Sequence, residues 1–191
     1  MDFKTITAED IEKAREYVPF AEKEAFVATV ADKCFDKLNI TASSGDENTP
    51  MPPMYKENTG LKMRYAMSAF VKMYLNKEVD TVEGDEYLMS LDDFDRWAGG
   101  HIFNQIERLK NTSSDLRNKC FDLLQDYKTL EKMLNTEVYS LLQVMNEPVN
   151  RILSHIGATA SPETMMGLVE ELKGLQSEFE KYEGATTTEV E

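Results

Sequence analysis

Residues 120–134 read Cys120-Phe121-Asp122-Leu123-Leu124-Gln125-Asp126-Tyr127-Lys128-Thr129-Leu130-Glu131-Lys132-Met133-Leu134. Cys120, Leu123, Tyr127, Leu130 and Leu134 recur in steps of three and four, which aligns them on one face of an α-helix. A second ridge of the same spacing follows: Met165, Leu168, Leu172, Leu175, Phe179 and Tyr182. Helices patterned in this way pack lengthwise on other helices. The spacing speaks to construction and to partners, and it carries no catalytic signature.

The 191 residues are 41% apolar, enough to bury a proper core in one domain or in a domain with an appended arm. A formal charge of −14, from 35 acidic and 21 basic side chains, repels phosphate backbones, so direct nucleic-acid binding is not expected. Such an excess serves solubility or meets a basic protein partner. Cys34 and Cys120 stand far apart outside any metal-ligand cluster and read as buried thiols of a reducing compartment. The start, Met1-Asp2-Phe3-Lys4, lacks a basic-then-apolar leader, and no window approaches the ~18 apolar residues of a membrane span. A cytoplasmic protein without membrane contact is expected.

Thr7 caps a short helix reaching about Val18, and Pro19 opens a second whose apolar face runs from Phe26 to Leu38. From 39 to 58, Ser43-Ser44-Gly45 and Pro50, Pro52 and Pro53 predict an exposed loop. Thr59 caps a central helix to about Leu75, and Ser90 another that weakens at Gly99-Gly100. The longest helix is predicted over Asp115 to Asn146, with Pro148 opening a short helix that Gly157 ends. Ser161-Pro162-Glu163 starts the last helix, closed by Gly184. No period-two strand run stands out, so the expectation is an all-α fold, a helical bundle with a C-terminal hairpin or coiled-coil-like arm. The parts would be a helical domain over 1–110, an arm over 111–184 and a tail over 185–191.

His101 and His155 have no ligand-spaced companions, the acidic residues do not follow a calcium-loop order, and no nucleophile or phosphate-loop motif is present. No enzyme, cofactor or metal is expected. One charged stretch stands out: Glu78, Asp80, Glu83, Asp85, Glu86, Asp92, Asp93 and Asp95 occur between 78 and 95 with only Arg96 following. Either it is a solvated connector, or it is a helical track of carboxylates that imitates nucleic acid, with Tyr87 and Trp97 as aromatic anchors. The extended segment Met51-Pro52-Pro53-Met54-Tyr55 either docks back on the core or faces a partner.

Ala8-Glu9-Asp10-Ile11-Glu12-Lys13-Ala14-Arg15-Glu16-Tyr17-Val18-Pro19, Ala21-Glu22-Lys23-Glu24 and Pro52-Pro53-Met54-Tyr55-Lys56-Glu57-Asn58-Thr59-Gly60-Leu61-Lys62 resemble small acidic proteins encoded in prophages of Gram-positive gut bacteria. The resemblance spans about the first 75 residues and implies a viral setting, without assigning any functional residue. The combined expectation is a non-enzymatic, phage-encoded interaction protein that forms homo-oligomers through Leu168, Leu172, Leu175 and Phe179. Burial of each contributes about 1.5–3 kcal/mol before ordering costs. Two alternatives are an inhibitor of a host nucleic-acid-processing defence enzyme, such as a CRISPR effector, and a virion-assembly scaffold or chaperone.

Overall fold

The computed structural model describes residues 2–38 and 52–159, with side chains to residue 154. The chain divides into two compact units, Met1–Asn146 and Glu147–Glu191. The ridge residues Leu168, Leu172, Leu175 and Phe179 and the segment 39–51 lie outside the described residues.

In the first unit, α1 (Ala8–Lys13) starts with a reciprocal cap, in which the Thr7 hydroxyl accepts from the Asp10 N–H and the Asp10 carboxylate accepts from the Thr7 N–H. Helix α2 (Phe20–Val30) follows Pro19, and a 3₁₀ turn over Ala31–Lys33 ends it. The helix expected to reach Leu38 stops there. Phe35–Leu38 is instead strand β1, paired antiparallel with β2 (Met54–Glu57), Phe35 opposite Glu57 and Leu38 opposite Met54. The all-α expectation is therefore corrected: among the described residues the fold is mixed, mainly helical, with two small antiparallel sheets. Part of the predicted 39–58 loop is a strand, and its outer edge is closed by a side chain. The Tyr55 N–H donates to Asn146 Oδ1, and Asn146 Nδ2 donates to the Tyr55 carbonyl, both at 2.8 Å. An edge strand left bare presents such groups to other chains.

Helix α3 (Thr59–Ala69) is capped by Asn58 rather than Thr59 and continues as a π-helical turn over Phe70–Tyr74. The second sheet is a hairpin, β3 (Thr81–Val82) and β4 (Asp85–Met89), turned at Glu83-Gly84 with Gly84 at φ 82°, a left-handed conformation that glycine adopts without strain. Helices α4 (Leu91–Gly99) and α5 (Ile102–Leu109) meet at the expected break, where the N-terminal segment crosses. The Lys4 N–H donates to the Arg96 carbonyl, and Gln105 Nε2 donates to the Gly100 and Lys4 carbonyls. A side chain at Gly100 would run into the Lys4 backbone.

Helix α6 (Ser114–Thr159) is longer than predicted, with 46 residues. Pro148 does not start a new helix but stands inside this one, one of its turns forgoing a backbone bond that the flanking turns outlast. The seam of Cys120, Leu123, Tyr127, Leu130 and Leu134 is buried, at most 6% exposed, and Val138 extends it. Tyr127 meets Phe70 and Phe103 at 4.8 and 5.5 Å between ring centroids, an aromatic core of offset and edge contacts.

One ion pair is buried in this core. Lys23 of α2, 3% exposed at its side chain, places Nζ 2.5 Å from Asp126 Oδ1 on α6. Asp126 Oδ2 accepts from the Tyr74 hydroxyl and the Val18 N–H, both at 3.0 Å. Burial first, then this bond to Asp126, pushes the Tyr74 phenol well above its ordinary pKa, so it stays a neutral donor. The knot ties α2, α6, the π turn and the backbone before Pro19 at one point. In the second unit α6 runs on from Glu147 to Thr159, Glu147 pairs with Arg151 one turn on, and Val149 is buried.

Candidate functional site

The acidic run is not the helical track expected from sequence. It is folded as the β3–β4 hairpin followed by α4, and the eight carboxylates divide into two kinds. Asp85 points inward. Its Oδ2 accepts from Lys33 Nζ at 2.9 Å and from the Tyr65 hydroxyl at 2.8 Å, while Oδ1 accepts from the Tyr87 and Leu88 N–H groups. Burial alone would raise this carboxyl's pKa, but Lys33, Tyr65 and the Tyr87 N–H outweigh it and hold it below the ordinary range. Lys33 is shifted upward by the same contact. Tyr65, buried and donating to Asp85, is also raised.

Asp93 is the second inward group, 1% exposed. Its Oδ2 accepts from the Asp80 N–H at 3.1 Å, and Lys4 Nζ lies 3.7 Å from Oδ1. Since the Ser90 N–H donates to the Asp80 carbonyl at 2.7 Å, Asp93 and Ser90 together clasp the base of the hairpin to the start of α4. Asp93 is therefore buried, and Asp85, its side chain 16% exposed, is engaged by Lys33 and Tyr65. Trp97 is 2% exposed and belongs to the core. Tyr87 is half-buried, in an edge contact with Phe26 and under Lys72 Nζ.

The other six, Glu78, Asp80, Glu83, Glu86, Asp92 and Asp95, are exposed and make no ion pair among the described residues. Val82 and Leu91, 39% and 62% exposed, lie among them. Beside the hairpin an open cleft of about 520 Å³ is lined by Thr29, Lys33 and residues 81–87. The Lys33–Asp85 pair is part of its lining, beside Val82 and Tyr87. The hairpin and the start of α4 thus form a negatively charged edge in which Lys33 pairs with Asp85 and Lys4 with Asp93.

The remaining sequence candidates separate as follows. His101 is exposed at the α4–α5 corner with φ 51°, the side chain of His155 lies outside the described residues, and no group of three His, Cys, Asp or Glu that could hold a metal occurs among the described residues. Cys34 and Cys120 are free and buried, and burial pushes the Cys34 thiol up to about 12. No helix among the described residues is long and apolar enough to cross a membrane. Sequence reasoning passed over the outward face of α6, where Phe121 and Tyr139 are 59% and 65% exposed and Lys128 and Lys132 stand between them. The signal was available, because these residues repeat in the same three-and-four rhythm as the seam but on the opposite side of the helix.

No protein-family model matches this chain, and comparison with curated proteins and with solved structures gives no match either.

Proposed function

We propose that this chain is a non-enzymatic, phage-encoded interaction protein that presents the hairpin and α4 as an acidic contact face to a basic surface on a protein partner. The observation that supports it is the division of labour among the carboxylates: Asp85 and Asp93 are paired with lysines and fix the hairpin, and the six outward ones make no ion pair among the described residues. Charges held in a fixed array steer a complementary partner and set its register, more than flexible ones do. Val82 and Leu91, exposed in the same stretch of chain, supply apolar contact. Self-association through Leu168, Leu172, Leu175 and Phe179 is a second mode, resting on the ridge pattern in the sequence.

The test is quantitative capture from extracts of a Gram-positive gut bacterium, comparing the full chain with a Glu83→Lys, Glu86→Lys, Asp92→Lys, Asp95→Lys variant. Asp93 is left alone because reversing a buried charge would break the hairpin base. The expected result is a basic protein retained by the wild type and lost by the variant. Equal capture by both would overturn the acidic face, and a captured nucleic-acid enzyme would identify the decoy form of the function over particle assembly.

A further inference from the structure

We propose that the outward face of α6 is a docking surface for the acidic face of a second copy of this chain. This rests on the reading of the hairpin and α4 as a contact face, and adds self-association to the basic partner proposed for that face. Phe121 and Tyr139 are eighteen residues apart, five full turns, so they lie on one line along the helix about 27 Å apart. Lys128 and Lys132 fall within about 20° of that line at ~100° per residue, and Arg117 precedes it by about 40°. Every carboxylate of the helix from 114 to 146, namely Asp115, Asp122, Asp126, Glu131 and Glu137, stands at least about 80° round from it. In a chain of net charge −14 the strip carries three cations, none ion-paired among the described residues.

The strip has relief as well as charge. Lys128, Lys132, Asn135, Thr136 and Tyr139, with Glu131 at the edge, border a shallow groove of about 390 Å³. Aromatic residues and arginine are enriched at contact surfaces, and Phe121, Tyr139 and Arg117 share this strip. The acidic face is its counterpart in both respects: Val82 and Leu91 exposed with six carboxylates, against Phe121 and Tyr139 exposed with three cations, none of these charges in an ion pair among the described residues. Two copies of an acidic chain repel at long range, so a stable contact needs local complementarity of this kind.

The experiment is sedimentation equilibrium of the full chain at moderate ionic strength, with two variants: Lys128→Glu with Lys132→Glu, and Glu83→Lys with Glu86→Lys. All four positions are exposed and make no ion pair among the described residues, and circular dichroism checks that the fold is retained. The expected result is a wild-type mass that rises with concentration and an association at least about tenfold weaker in each variant. Mixing the two variants restores association, because the acidic face of the first meets the cationic strip of the second. A wild type that stays monomeric, variants that associate as the wild type does, or a mixture that stays monomeric overturns the proposal. Association abolished by Leu172→Asp with Leu175→Asp but untouched by the charge variants places the contact on the C-terminal ridge and also overturns it. So does a monomer whose strip binds anionic lipid vesicles through Lys128 and Lys132. In each of these cases, capture of a basic protein by the acidic face remains a separate result.

Discussion

Asp126→Ala removes the carboxylate that three groups share. Lys23 is left as an ammonium with a side chain 3% exposed, and the Tyr74 hydroxyl and the Val18 N–H lose their acceptor. Breaking one side of a buried ion pair costs about 3–5 kcal/mol, because the surviving charge stays desolvated. Lys23→Met is the instructive contrast. It leaves Asp126 with both hydrogen bonds and a side chain 14% exposed, so water can reach it and the cost falls to about 1–2 kcal/mol. The assay is urea unfolding followed by the single tryptophan, Trp97, which is buried beside the N-terminal segment. With a slope of about 2 kcal/mol per molar, Asp126→Ala should lower the midpoint by about 1.5–2.5 M. A shift below about 0.3 M, or a larger loss for Lys23→Met, would refute the knot as a point of attachment.

Asp85→Asn tests the hairpin anchor. Because the folded carboxyl is held below its unfolded value, its contribution is fully present above the unfolded pKa of about 3.9 and fades as pH falls through the folded one. The variant should be less stable than wild type at pH 7, and the gap should close under strong acid; a constant gap in pH-dependent melts would contradict this. Cys34 and Cys120, buried with raised pKa values, should resist thiol reagents in the native protein and react in urea, and rapid native labelling would count against their burial. Gly100→Ala meets the backbone of Lys4 and comes within 3.2 Å of the Arg96 carbonyl, whereas Gly99→Ala meets only the ring of the exposed Phe3. Thermal melts should show a loss of about 1–3 kcal/mol for the first and a smaller one for the second; the reverse order would be inconsistent with the corner.

The parts legible in the sequence are those where local pattern decides. The α6 seam is buried where its spacing put it, Thr7 and Ser90 cap helices, and Gly99-Gly100 breaks one. The strands were illegible for a physical reason: four residues in β1 and two in β3 are too few to establish a period, and β1 finds its partner only across residues 39–53. Only Gly84, after a glutamate and between Val82 and Asp85, marked the hairpin locally. The acidic run read as one feature because carboxylates alone do not show which of them a lysine neutralises. Lys4 and Lys33, far upstream, separate Asp93 and Asp85 from the rest, and no local spacing announces that. Pro148 misled in the opposite sense: a strong local break is overridden when a long helix continues on both sides.

The most direct measurement is calorimetric titration of the full chain against the basic protein it captures, at low and at high salt, for the wild type and for the variant reversed at Glu83, Glu86, Asp92 and Asp95. Binding that weakens at least about tenfold both with salt and with charge reversal is the expected result. An affinity indifferent to salt and unchanged in the variant would show that the partner is held elsewhere, and the outward carboxylates would be left with solubility as their role.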